Sequence, residues 1–140
     1  MSELPLAGAD FSPLAKLPKL KIFLANRANI GDSELKTLVG CKVVSSLFLS
    51  MNGRITDASA STLASMPSVN YVDLVGTSVT AAAVPRLKHI GMILLHESAF
   101  PGQSAAQVHK RFPNVWVESR GGKRRKPSED ELRMFAPTRY

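Results

Sequence analysis

Five short stretches of the chain alternate apolar and variable positions: Ile22-x-Leu24, Leu47-x-Leu49, Val72-x-Leu74, Ile93-x-Leu95 and Val115-x-Val117. Alternation with a period of two over a few residues is the pattern of a strand with one face buried. Each of the first four is followed by apolar residues at three- to four-residue spacing, the period of an amphipathic helix. The first such helix opens at Asp32 or Ser33, carries Leu35 and Leu38 inward and stops at Gly40. The second opens at Thr56 or Asp57, carries Leu63 and Met66, and stops at Pro67. In both, the opening side chain is expected to accept a hydrogen bond from a free N–H of the first turn. The third carries Val84, Leu87 and Ile90 up to Gly91, but Pro85 would remove an interior hydrogen bond, so the helix is expected to start late, near Val84. The fourth opens at Ser104 and runs to Phe112, where Pro113 stops it.

The order strand, turn, helix therefore recurs. Ile30-Gly31-Asp32, Ile55-Thr56-Asp57 and Val79-Thr80-Ala81 mark the same turn, at spacings of 25 and 24 residues. Leu24 and Leu49 lie six residues before their isoleucine, whereas Leu74 lies five before Val79 and Leu95 five before Phe100. One such unit cannot bury its own apolar face. Stacked units can, and they give a parallel sheet with helices along its other side.

The third copy reads Met66-Pro67-x-Val69-x-x-Val72-x-Leu74-x-x-Thr77-x-Val79-Thr80, and the second keeps Val44-x-x-Leu47-x-Leu49, Asn52 and Ile55-Thr56-Asp57. Over residues 14–118 this resembles the leucine-rich-repeat family, in the helical class found in ribonuclease-inhibitor-like proteins and in the repeats of F-box proteins. Short chains of that class include the mitochondrial ATP synthase factor B (subunit s) group. The pattern is departed from at Lys19, where a Leu is expected, and in the fourth copy, which has Phe100 and no Thr-Asp. The resemblance implies an α/β fold, a short solenoid with a parallel sheet of about five strands and helices on the convex side. It would span residues 14–119, between an extension at 1–13 and a basic extension at 120–140 with a short helix. It also implies a protein that is not an enzyme, a scaffold or adaptor subunit of a larger assembly, with a mitochondrial complex as one concrete version.

In such a sheet the residue between the two inward positions points to the open face. These residues are Phe23, Phe48, Asp73, Leu94 and Trp116, and the next outward row is Ala25, Ser50, Val75, His96 and Glu118. Strands stand about 4.8 Å apart, so each row is a short ladder. Four members of the first row are large and apolar, whereas a solvated sheet face should be polar, and exposed apolar patches mark interaction surfaces. A partner chain anchored on Trp116, Phe48 and Phe23, with Asp73, Leu94 and His96 beside them, is one occupant. Residues 1–16 or the C-terminal segment folding back are the other.

Composition changes this picture in one place. The 140 residues carry 18 Lys and Arg against 11 Asp and Glu, a net charge of +7, with a pI near 9.9. Residues 120–140 alone hold 7 of the basic and 3 of the acidic side chains. Arg120, Lys123, Arg124, Arg125 and Lys126 place five cations in seven residues. That run suits phosphates of nucleic acid, an import receptor or an acidic protein surface. Beyond it, Ser128-Glu129-Asp130-Glu131 resembles a capping box that opens a short helix. Leu132, Met134, Phe135 and Tyr140 give that stretch an apolar side, expected to dock on its own body or on a partner.

At 44% hydrophobic residues the chain is no disordered polymer. Its longest apolar run, 90–95, is far below the roughly 20 residues of a membrane span. A single cysteine, Cys41, and no secretory segment after Met1 suggest an intracellular protein. Mitochondrion, cytoplasm and nucleus all remain open, although Glu3 and Asp10 are unlike a transit peptide. Catalytic constellations are missing. His89, His96 and His109 sit in different copies, no Cys or His pair has zinc-ligand spacing, and Gly121-Gly122-Lys123 lacks the context of a phosphate loop. His89 and His109 suit helix ends, and Cys41 suits packing. The expectation is therefore a protein with no cofactor, no metal and no small-molecule substrate, whose partners are other protein subunits. An RNA-associated accessory subunit using residues 120–126, such as one of a ribosome, is the alternative.

Overall fold

The structure, a computed structural model, describes residues 8–17 and 19–118. Five strands, β1 (Ile22–Leu24), β2 (Ser46–Phe48), β3 (Tyr71–Asp73), β4 (Met92–His96) and β5 (Val115–Glu118), lie in sequence order in one parallel sheet. The connections are helical: α1 (Asp32–Lys36) running on into a 3₁₀ turn over Thr37–Gly40, α2 (Ser59–Ala64), a 3₁₀ helix over Ala81–Leu87, and α3 (Ala105–Arg111). A further 3₁₀ turn, Ser12–Lys16, precedes β1 and packs on the one at Thr37–Gly40. The class is α/β, as the alternating patterns predict.

The core lies between the sheet and its helices. Phe23, Leu47, Val72, Ile93 and Val115 form one inward row by direct pairing. Ala25, Leu49, Leu74 and Leu95 form the next, and all nine are buried in one cluster with Leu35, Leu38, Leu63, Val84, Leu87 and Val108 from the helices.

The first strand corrects the sequence expectation by one residue. Leu24 pairs with Phe48, not with Leu49, and is 67% exposed, whereas Phe23 and Ala25 are in the core. Aligning the first copy on the six residues between Leu49 and Ile55 caused the slip. A spacing of five is what Ala25–Ile30, Leu74–Val79 and Leu95–Phe100 share. The second copy is the exception, with an added residue in Asn52-Gly53-Arg54. The backbone supports this alignment. Arg27 (φ 54°), Met51 (φ 62°) and Gly76 (φ 79°) are left-handed, each two residues beyond Ala25, Leu49 and Leu74. A Cβ on Gly76 would also collide with the Met51 sulfur. Because side chains alternate with a period of two, the slip moves Phe23 from the outward face to the core. There its ring meets Phe11 edge-on, with centroids 5.0 Å apart.

Three helix starts also differ. α2 has Ala58 at its N-cap position and no side-chain cap, so neither Thr56 nor Asp57 fills that place. Asp32 caps nothing in its own turn: the N–H of Gly31 donates to Glu34 Oε1 at 2.7 Å instead. The third connection does not start late. Thr80 caps it by accepting from the Ala82 N–H at 3.3 Å, and the segment winds as a 3₁₀ helix with Pro85 inside. Wound this way, the segment accommodates a proline that an α-helix interior would not. Ser104 does open α3, accepting from the Gln107 N–H while Gln107 Oε1 accepts from the Ser104 N–H.

Truncation separates the two candidate inward residues of β1. Phe23→Ala should cost about 3–4 kcal/mol in chemical denaturation. Leu24→Asp, on the exposed row, should cost less than about 1 kcal/mol. The reverse order would restore the register read from spacing alone.

Candidate functional site

The face of the sheet away from the helices is built from residues two apart on each strand. Its central row is Leu24, Phe48, Asp73, Leu94 and Trp116. One step earlier stand Ile22, Ser46, Tyr71 and Met92. One step later are Asn26, Ser50, Val75, His96 and Glu118. Phe48, Tyr71, Val75, Met92 and Leu94 form a second apolar cluster, with Ile22 packed at its side. The Phe48 and Tyr71 rings lie 5.0 Å apart.

Of the predicted row, Phe48, Asp73, Leu94 and Trp116 do share this face. Phe23 and Ala25 belong to the core, and Leu24 and Asn26 take their places. Exposure is also redistributed. Phe48, Asp73 and Leu94 are 8%, 0% and 1% exposed, while Leu24 and Trp116, on the two edge strands, are 67% and 43% exposed. The centre of the face is thus buried, and its edges carry the accessible anchors. Tyr71, Met92 and Ser46 escape the pattern of inward pairs. They lie two residues before Asp73, Leu94 and Phe48, so extending the outward alternation by one step would have found them.

Polar groups on the face have defined duties. Asn26 Oδ1 accepts from the Ser50 N–H at 2.9 Å and from the Ser50 hydroxyl at 2.8 Å. Asp73 Oδ1 accepts from the Val75 N–H at 3.1 Å. His96 is half-buried, and its Nδ1 accepts from the Ser98 N–H at 3.1 Å, so it starts the short turn at Glu97–Ala99. His109 lies against Trp116, with ring centroids 4.6 Å apart, and its Nδ1 meets the Val115 carbonyl at 3.1 Å. His89 Nε2 meets the Met66 carbonyl at 3.3 Å. Cys41 is buried, which raises its thiol pKa and disfavours the thiolate a nucleophile needs.

The most perturbed carboxylate lies elsewhere. Glu34 is buried and accepts from the Gly8 N–H at 2.6 Å and from the Gly31 N–H, with Arg54 at 3.6 Å. The Gly8 bond, with smaller help from Gly31 and Arg54, outweighs desolvation and holds its pKa at about 2. This fixes residues 8–11 onto the first copy, where the Phe11 N–H also donates to Thr37 Oγ1 at 2.7 Å. Asp32 is held below its ordinary value as well. Partial burial pushes it up, but bonds from the Ser59 and Thr56 hydroxyls and the Thr56 N–H prevail. Both carboxylates serve structure. Among the described residues no group of three His, Cys, Asp or Glu side chains is placed to hold a metal. No described helix is long and apolar enough to cross a membrane. The remaining predicted contact residues, Arg120, Lys123, Arg124, Arg125 and Lys126, and the docking residues Leu132, Met134, Phe135 and Tyr140, lie outside the described residues.

No protein-family model matches this chain, and no curated protein sequence matches it.

Acid should expose the role of Glu34. Its carboxylate bonds stabilise the fold fully above its ordinary pKa near 4.5 and fade as pH falls towards about 2. Glu34→Gln should therefore be less stable than the native chain at pH 7, with the gap closing between pH 4.5 and 2. A gap that stays constant across that window, measured by denaturant titration, would remove Glu34 from this role.

Proposed function

We propose that this chain is a short solenoid of the leucine-rich-repeat kind and works as a non-enzymatic protein-interaction module, a structural or adaptor subunit of a larger assembly. Its apolar outward face carries this reading, with Leu24 and Trp116 accessible on the two edge strands. The sequence-ordered parallel sheet supports it too, as do side-chain bonds that link the first copy to the second and the second to the third over 22–27 residues. The polar side chains that could suggest chemistry are instead engaged in capping, turns or packing. A partner offering apolar side chains would meet Trp116 first, because a large, half-exposed aromatic is a favoured anchor. Membership of a mitochondrial complex is the concrete version that the family resemblance suggests.

A photo-reactive residue at position 24 of the full chain, expressed in its native cells, should capture a defined protein subunit. Adding Trp116→Glu should reduce that capture at least about tenfold, the loss of one good anchor. Equal capture with and without Trp116→Glu would remove the face from the interaction.

A second reading rests on the five cations within residues 120–126. As an RNA-associated subunit, the chain would bind single-stranded RNA with an affinity that falls steeply with salt, at a log–log slope of about −3.5 for some five phosphate contacts. Replacing all five by Gln should abolish that binding. A flat salt response, or unchanged affinity in the Gln variant, would leave only the protein-interaction reading.

A further inference from the structure

Charge is sorted across the sheet. Within residues 19–118 the acids Asp32, Glu34, Asp57, Asp73, Glu97 and Glu118 all lie at one edge, where strands end or helices begin. The segments that lead from a helix end into the next strand, 36–45, 64–70, 87–91 and 110–114, hold Lys36, Lys42, Lys88, Lys110 and Arg111. The acidic edge has cations of its own, Arg27 and Arg54, but these four segments contain no acid. At the basic edge a cleft of about 530 Å³ opens between the third and fourth connections. Packing explains the gap. α2 packs on the 3₁₀ helix over Ala81–Leu87, whereas α3 packs on β5 and touches that 3₁₀ helix little. Asn114, which lines the cleft, ties the two connections together, its amide donating to the Leu87 and Ile90 carbonyls at 3.2 and 2.8 Å. Val84, Pro85, Phe112 and Pro113 give the cleft apolar walls, and the exposed Lys88 and Arg111 complete its lining.

We infer that this cleft docks an acidic segment of a protein partner, which inserts one large apolar side chain between the apolar walls and sets carboxylates against Lys88 and Arg111. Its volume falls in the range of about 300–1,000 Å³ that ligand sites occupy. The wall is firm: Phe112 packs against the main core, its ring centroid 6.2 Å from that of Phe100. The Arg111 guanidinium lies 4.8 Å from the Phe112 ring centroid. Stacked on the ring, it is held beside the cleft while its planar fork can still take both oxygens of a carboxylate. Among the described residues neither Lys88 nor Arg111 has an acidic partner. Lys42, Arg86 and Lys110 carry the same sign close by in sequence or along the same edge, which would steer an acidic chain before contact. The walls favour peptide over nucleic acid. Two prolines, a valine and a phenylalanine offer no donor to a phosphate, and the Asn114 amide is already engaged by Leu87 and Ile90. The cleft is built from the helical connections, so it is separate from the apolar outward face, and the inference holds whether or not that face binds a partner.

The probe is a fluorescent peptide in which glutamates flank a photo-reactive phenylalanine analogue. With the full chain it should bind saturably, and illumination should crosslink it within residues 84–88 or 111–114. Lys88→Glu with Arg111→Glu should weaken binding at least about tenfold, because like charges then face each other. Lys16→Glu with Lys19→Glu makes the same change of charge near β1, at the far end of the sheet, and should alter the affinity less than about twofold. All four side chains are exposed, so both variants should keep the fold. A peptide with serine in place of the aromatic should also bind at least about tenfold more weakly. Equal losses in the two charge variants would overturn the inference, as would undiminished binding of the serine peptide. Crosslinks confined to other residues, or none, would do the same. A thiouridine-labelled single-stranded RNA that crosslinks to 84–88 or 111–114 more efficiently than the peptide would assign the cleft to nucleic acid and overturn it too.

Discussion

The fold depends on bonds that side chains of one copy make to the backbone of the next. Strands of three to five residues provide few ladder hydrogen bonds, and the turns after them bury backbone groups that no helix or strand satisfies. Asn52, 1% exposed, meets that need in the second copy. Its amide donates to the carbonyls of Ala25, Leu49 and Ser50, and its oxygen accepts from the N–H groups of Ala28 and Ile30. Asp32 accepts from the N–H and hydroxyl of Thr56 and from the Ser59 hydroxyl. Asp57 does the same for Thr80 one copy later. Asn114 donates to the carbonyls of Leu87 and Ile90. The bonds of Asn52 satisfy buried polar groups that would otherwise cost about 1–3 kcal/mol each, and those bonds that cross from one copy to the next fix the distance between them.

The two ends of the sheet are finished differently. At β1, residues 8–17 close the first copy: Phe11 enters the core beside Phe23, Thr37 holds the Phe11 N–H, and Glu34 holds Gly8. Beyond β5 no described strand follows, and the exposed Trp116 stands there with His109 against its ring. Among the described residues, one end of the sheet is closed by residues 8–17 and the other carries the half-exposed Trp116. The described part of the sheet is therefore asymmetric along its length, finished by different residues at β1 and at β5.

Much of this was legible in the sequence because burial on one side of a strand enforces alternation. All five strands, their parallel order and the inward rows of copies two to five follow from Leu47, Leu49, Val72, Leu74, Ile93, Leu95, Val115 and Val117. The first copy was not, because Ile22, Phe23 and Leu24 are all apolar, so hydrophobicity cannot choose between two registers and loop length had to decide. Asp32 and Asp57 resemble helix caps in composition, and only the neighbouring copy shows that their oxygens are aimed at Thr56 and Thr80. The outward row was recognisable as apolar, but the burial of Phe48, Asp73 and Leu94 was not, since alternation reports which side a residue faces and not what lies above it.

The added residue in Asn52-Gly53-Arg54 shows what the sheet measures. A Cβ on Gly53 would meet nothing within 4 Å, so the loop can lengthen into open space. Asn52 still reaches the first copy, and β2 still pairs residue for residue with β1 and β3. The register is set by the bonds on either side of this loop, and the count of residues between them is free to vary. Over evolutionary time such a loop can gain and lose residues while the strands stand still, and the period that would betray common ancestry blurs one residue at a time.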